Sequence, residues 1–453
     1  MLSQRIPCIM KDCSATILPA TAAKTGGYCM PCQQERQRQE RQRYIEKHSR
    51  DVDLFEGVSD PVEILKMMYS PRPYDPLIRY IPYPKSKEQI YVSLTAEEED
   101  RLLLYAMERL ALGDKDTCVK ILLSLVCFRD KLITGHIPDL VAHGLFGLGI
   151  LLKDASQQMR NELLHRVEHD KSNRNHLLLA LAWIGDEQVT LRFREWRHTP
   201  PAWAEELYVA PESYTQEAGW ELTAAGERRD LFYRTSYAIQ KQPKGDKPAG
   251  DRILFAAGEQ DKAVLREQVV KKQPVRILGT SPNRCPWCGR RLTTLLEFNL
   301  NHPSLQFLSL SGESFKVDTC ISCGCYDVIY MDVDRDGEPS WSQHNKIPGY
   351  LPEPDGDDEA GEHLPDHSCF ELAAEPRSCY HSAHWRLDAT NSQVGGHPCW
   401  IQDAYYPQCP SCLQHMTFIA QLDWEDVEEY GEGMYYMFVC PDCRITATTY
   451  QQT

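Results

Sequence analysis

Four Cys-x-x-Cys pairs in the C-terminal part of the chain fall into two matched sets. The first set is Cys285-Pro-Trp-Cys288 followed, after 31 residues, by Cys320-Ile-Ser-Cys323. The second is Cys409-Pro-Ser-Cys412 followed, after 27 residues, by Cys440-Pro-Asp-Cys443. Thiolates at this spacing are ligands for a soft divalent cation, and two such knuckles close a tetrahedral four-sulfur site. A closed site has no open coordination position, so its chemistry is structural rather than catalytic. A third set lies at the N-terminus, where Cys8-x4-Cys13 and Cys29-x2-Cys32 bracket 15 residues. Three structural zinc ions are therefore expected, in segments too small to bury cores of their own.

The stretches between the paired knuckles also correspond. Leu292-Thr293, Leu295 and Phe298 sit at the offsets of Met416-Thr417, Ile419 and Leu422. Phe315 and Val317 precede the second knuckle as Tyr435 and Met437 do, and Tyr330 follows it as Tyr450 does. Knuckles joined by strand-like sequence predict two related zinc ribbons. Other candidate ligands are less ordered. Cys369, Cys379, His381, His384, His397 and Cys399 are open to two readings, a further Cys/His site or scattered structural residues, and their spacing matches no ligand pattern. Cys118 and Cys127 read as small core residues on apolar helix faces. His165-Arg-Val-Glu-His169 fits the His-x-x-Glu-His pattern of inverted zinc peptidases, with Glu168 in the position of a base. Such polar spacing is also common on exposed helices, and no third ligand is evident nearby. No phosphate-binding glycine loop, nucleophile elbow or dinucleotide fingerprint occurs, which tilts the reading toward a non-enzymatic protein.

These ligands need elements to hold them. From Thr95, which forms a capping box with Glu98, Leu102, Leu103, Ala106 and Leu110 follow helical spacing. Further helices are expected near 115–128, 136–152, 156–169, 174–184 and 186–197, as antiparallel pairs of the HEAT type. Gln33 to Arg50, almost without apolar residues, predicts a solvated helix leaving the first knuckle. Beyond a polar linker the sequence favours strands, apart from a helical patch near 258–270, and Glu353 to Glu362 reads as an acidic loop between the ribbons. The expected organisation is an α+β multidomain chain. Its parts are a zinc knuckle (1–34), a helical and Pro-rich connector (35–92), an α-helical repeat domain (93–240), a linker (241–275) and a duplicated zinc-ribbon β domain (276–453).

A formal charge of −16 argues against nucleic acid as a general partner, because phosphate binding runs on cationic contacts. It suits a basic protein partner, although solubility alone also accounts for it. The first residues lack an export signal and no apolar run is long enough to span a bilayer. A reducing cytoplasm is expected, with the cysteines as metal ligands rather than disulfides.

Ser392-Gln-Val-Gly-Gly-His-Pro-Cys-Trp400, followed by Met416-Thr-Phe-Ile-Ala-Gln-Leu-Asp423, resembles the YwqG-like family of bacterial proteins, with its Gly-Gly-x-Pro turn and Phe-x-x-Gln-Leu strand. Phe438-Val-Cys-Pro-Asp-Cys443 is also similar to the C-terminal domain of the programmed-cell-death-two proteins. The resemblance covers roughly residues 385–453, and the first ribbon lacks the Gly-Gly-x-Pro element. The N-terminal segment resembles zinc knuckles that open many bacterial proteins. The first resemblance implies an immunity protein that neutralises a toxin by direct binding. The second implies an escort for a basic client such as a ribosomal protein. A nucleic-acid-binding ribbon protein and a metallopeptidase acting through His165, Glu168 and His169 are the remaining alternatives.

Overall fold

The structure, a computed structural model, describes residues 5–241, 273–351, 370–428 and 430–452. The expected patch at 258–270, the acidic stretch from Glu353, almost all of the linker and Cys369 lie outside them. The chain divides into two compact units, Met1–Ile90 and Tyr91–Thr453.

In the N-terminal unit β1 (Ile6–Pro7) pairs antiparallel with β2 (Thr16–Ile17). α1 (Pro19–Thr25) starts on a proline and ends at Gly26, whose φ of +64° makes a left-handed C-cap. α2 (Met30–His48) takes Cys29 as its N-cap residue and buries none of its side chains, as its run of Gln, Arg and Glu requires. β3 (Arg50–Val52) pairs in parallel with β4 (Ile78–Tyr80). α3 (Pro61–Tyr69), capped by the Asp60 carboxylate, buries Val62, Ile64 and Leu65. α4 (Lys87–Val92) spans the division between the units.

The C-terminal unit begins with helices. α5 (Ala96–Ala111) opens on the expected capping box, the Thr95 hydroxyl accepting from Glu98 N–H and the Glu98 carboxylate from Thr95 N–H. Leu102, Leu103, Ala106 and Leu110 are buried. α6 (Lys115–Arg129) is buried on most of its circumference, Cys118 and Cys127 included, and burial pushes the Cys118 thiol up to about 12. The helix expected over 136–152 is broken. α7 (Ile137–Ala142) stops before Gly144, at φ +75°, and the chain resumes as a 3-10 turn at Gly149–Leu152. α8 (Gln157–His169), α9 (Arg174–Ile184) and α10 (Glu187–His198) follow the expected spans. Asp186 caps α10 and also pairs with the buried Arg160 of α8 at 2.6 Å. These helices vary from 6 to 16 residues and share no fixed period.

The strands are β5 (Trp220–Leu222), β6 (Arg228–Asp230), β7 (Tyr233–Lys241), β8 (Val275–Arg284), β9 (Arg291–Asn299), β10 (Ser314–Thr319), β11 (Ile329–Val333), β12 (Pro339–Trp341), β13 (Phe370–Leu372), β14 (Gln393–Gly396), β15 (Thr417–Asp423), β16 (Met434–Cys440) and β17 (Ile445–Gln451). An eight-stranded sheet has the order β12-β11-β17-β16-β15-β14-β7-β13, and a three-stranded sheet the order β10-β9-β8. Their facing sides share one core, built from Leu295, Phe298, Phe315, Val317, Ile419, Leu422, Tyr435 and Met437 among others. A second core, with Trp400, Tyr406, Phe418, Tyr436 and Phe438, covers the opposite face of the large sheet. This explains why β16, Met-Tyr-Tyr-Met-Phe-Val-Cys, is buried at every position: alternate side chains enter different cores.

The boundary expected at Lys241 is not where the compact units divide. β7 ends there, and it lies between β14 and β13 inside the large sheet. The helices and sheets instead form one unit, joined by packing. The fully buried Trp220 donates its indole N–H to Ala182 O at 2.8 Å and meets Phe193 edge-on. Ser378 Oγ donates to Asp130 Oδ1 at 2.7 Å, and Phe128 packs on His381.

Candidate metal centres

The paired knuckles are held by two motifs that match in backbone detail. In the first, β9 pairs with β10 as Phe298↔Phe315, Leu296↔Val317, Thr294↔Asp318 and Thr293↔Thr319. In the second, β15 pairs with β16 as Leu422↔Tyr435, Ala420↔Met437, Phe418↔Phe438 and Thr417↔Val439. These are the correspondences the sequence offsets predict, and each ladder carries a bulge at the same place, at Leu295 and at Ile419. The turns match too. Cys285 N–H donates to Arg290 O and Gly289 N–H to Cys285 O, as Cys409 N–H does to Gln414 O and Leu413 N–H to Cys409 O, all at 2.8 Å. The motifs part at the third strand. β17 returns against β16, whereas β11 leaves β10 and pairs with β17, stitching the first motif onto the second.

The twelve expected cysteines form three quartets, Cys8/Cys13/Cys29/Cys32, Cys285/Cys288/Cys320/Cys323 and Cys409/Cys412/Cys440/Cys443. Within each quartet all four sulfurs lie within 4.8 Å of one another. Four sulfurs at the zinc–thiolate bond length and tetrahedral angles stand about 3.8 Å apart. The observed separations are 3.8 Å for Cys13–Cys29, 3.5 Å for Cys288–Cys320, 3.9 Å for Cys285–Cys323 and 3.7 Å for Cys412–Cys440. That is nearly twice a disulfide bond length, and every described cysteine is free. The quartets thus fit a tetrahedral metal ion such as zinc.

Backbone donors point at sulfur, as a thiolate site needs. Cys29 N–H donates to Cys8 Sγ at 3.2 Å. That N–H and the one of Met10 draw the Cys8 thiol down to about 7, against the opposing effect of burial. Cys32, sharing hydrogen bonds with Cys29 and Cys13, is pushed far up instead. The second quartet divides alike: Cys285 is lowered by the Cys320 and Cys323 thiols, which are themselves raised by it. Each group favours one thiolate over its neighbours, and a divalent cation relieves that competition.

The left-handed residue that closes each first knuckle is Gly289 in one motif, φ +76°, and Leu413 in the other, φ +63°. A bulky residue is strained there, and Leu413 is exposed, so its side chain offsets little. Leu413→Gly is expected to raise stability by about 0.5–1 kcal/mol, read as a higher denaturant midpoint at unchanged slope.

The sequence is 38% identical over 462 residues to the uncharacterized protein YpfL of Salmonella typhimurium (strain LT2), covering 100% of both chains. The chain belongs to the YpfL family. No protein-family model matches it, and no solved structure does.

The other candidate ligands have different surroundings in this YpfL-family chain. Cys379, His381, His384, His397 and Cys399 fall in one region, with His397 N–H donating to Cys379 O at 2.7 Å. They bring no three ligand atoms together: among the described residues, the quartets are the groups that do. His397 is fully buried, its ring nitrogens facing Pro398 O at 2.9 Å and Glu217 O at 3.0 Å. His165 and His169 do share a face of α8, with ring centroids 4.8 Å apart. Glu168, however, accepts a hydrogen bond from Trp203 Nε1 at 2.7 Å, and no third ligand group joins the pair among the described residues.

The Gly-Gly-His-Pro stretch has a clear structural role. Gly395 and Gly396 both have positive φ, and a Cβ on Gly395 would lie 2.1 Å from Thr235 O. Gln421, fully buried, accepts from Cys399 N–H at 2.9 Å and donates to Asn391 O at 2.8 Å. The turn and the glutamine together fix the chain that leads into the second quartet.

Proposed function

We propose that this protein is a non-enzymatic, zinc-stapled scaffold that binds a basic protein partner. The observation that carries this reading is the closure of all three quartets: four thiolates leave the ion no open position for substrate or water. The ions would be held by the twelve cysteines and would supply folding energy to segments with little core. Among the described residues, the buried apolar cluster of the N-terminal knuckle is Cys8, Ile17 and Cys29. A charge of −16 favours a cationic partner by steering its approach.

Within this reading, the YwqG-like resemblance favours toxin neutralisation by direct occlusion, and we take that as the specific role. The test is affinity purification of the tagged full chain from its native host, with identification of what co-purifies. A basic protein recovered in near-stoichiometric amount, whose toxicity is relieved by co-expression, is the expected result. Recovery of a ribosomal protein whose solubility depends on this chain would assign the escort role instead. Recovery of no protein in near-stoichiometric amount would overturn the scaffold reading.

A further inference from the structure

A cavity of about 460 Å³ opens in the C-terminal unit between the 3-10 turn at Gly149–Leu152, α9 and the chain around Trp400. That size is in the range of small-ligand sites. Its walls are aromatic, with Trp183, Tyr214, Trp385 and Trp400 all contributing. Two carboxylates, Glu217 and Asp403, line it, and among the described residues no lysine or arginine does. Three histidines also line it, His176 exposed, His384 half-buried and His397 fully buried. Burial pushes both His384 and His397 down to about 4, reinforced by Arg386 at His384 and opposed by the Pro398 and Glu217 carbonyls at His397.

We propose that this cavity binds an organic cation, an ammonium or guanidinium group, beside its two carboxylates and against its aromatic wall. The proposal rests on the cavity alone and not on the scaffold reading. Cations are attracted to the faces of indole rings, most strongly where water is excluded. Burial raises the Glu217 carboxyl, Ala404 N–H opposing and Asp403 reinforcing the effect. A cation placed beside these two acids removes their mutual repulsion and repays part of the desolvation. The cavity is also preformed. A Cβ at Gly149 would stand 2.3 Å from Trp183 Cδ1, so glycine there lets the turn close against the indole.

Such a cation could be a free small molecule or a basic side chain of a peptide. Titration of the full, metal-loaded chain by calorimetry can separate the two with choline, N-acetyl-arginine methylamide and a lysine-containing pentapeptide as probes. Saturable binding of at least one probe is expected, with 3,3-dimethylbutanol, the uncharged shape-match of choline, at least about tenfold weaker than choline if choline binds. Selective binding of choline would assign a free ligand, and selective binding of the arginine or lysine probes a side-chain site. Glu217→Gln is expected to cost about tenfold in affinity, and Asp403→Asn, at an exposed position, several-fold. No saturation by any probe up to about 10 mM, which is millimolar binding at best, would overturn the proposal. So would undiminished affinity in Asp403→Asn together with equal binding of choline and its neutral analogue.

Discussion

Stripping the proposed zinc is expected to release three ions per chain and to collapse the β part of the C-terminal unit. The magnitude follows from where the sulfurs sit. Cys285, Cys320 and Cys323 are each 1% exposed and pack with Ile329 and Met331 of β11. Cys409 and Cys440 belong to the core that holds Trp400 and Phe438. Removing the ion leaves four crowded sulfurs per site with nothing to balance their charge. Apparent binding energies for structural zinc are on the order of 10 kcal/mol or more, comparable to the whole stability of a domain. Chelation should therefore abolish near-UV circular dichroism and lower the melting temperature steeply. Cys320→Ser and Cys409→Ser should each do much the same. Cys29→Ser should act locally, because its quartet staples only β1, β2 and the start of α2. Metal analysis of gently purified protein is the first check. A zinc content near zero, or an unchanged spectrum after chelation, would sink the stapling idea.

Much of the site was legible because cysteine spacing is a direct record of ligand geometry. The offsets between the two motifs were legible as well. Leu295 and Ile419 could be aligned by sequence alone, but that both are bulged could not, since a bulge depends on what the partner strand does. The departure of β11 is of the same kind. Tyr330 and Tyr450 occupy matching offsets, yet one strand pairs with its neighbour and the other crosses between motifs. Helix ends came through where a local signal marks them, as at Thr95 and Asp186. The run from 136 to 152 reads as one helix because its apolar content persists through the break at Gly144. The cation cavity had no sequence signature. Glu217, Trp183 and Asp403 are far apart in the chain, and only the packing of α9 under the Trp400 segment assembles them.

The second large effect concerns that packing. Trp220→Ala is expected to destabilise the C-terminal unit by about 3–5 kcal/mol, through a lost aromatic volume and an orphaned Ala182 carbonyl. Trp220 is fully buried, lies under the Arg228 guanidinium at 4.9 Å and touches Phe193 of α10. Its strand continues into Glu221, which binds Arg229 and His415 beside the second quartet's first knuckle. Trp220 is thus one of the contacts that join the helices to the β part of the unit. If helices and strands form one cooperative unit, the variant should still unfold in one step, with helical and near-UV signals lost at the same shifted denaturant midpoint. Trp220→Phe should keep that coincidence while costing less, mainly the indole hydrogen bond at about 1 kcal/mol. Two separated transitions in the wild-type chain, with only the helical one moved by Trp220→Ala, would instead restore a domain boundary near Lys241.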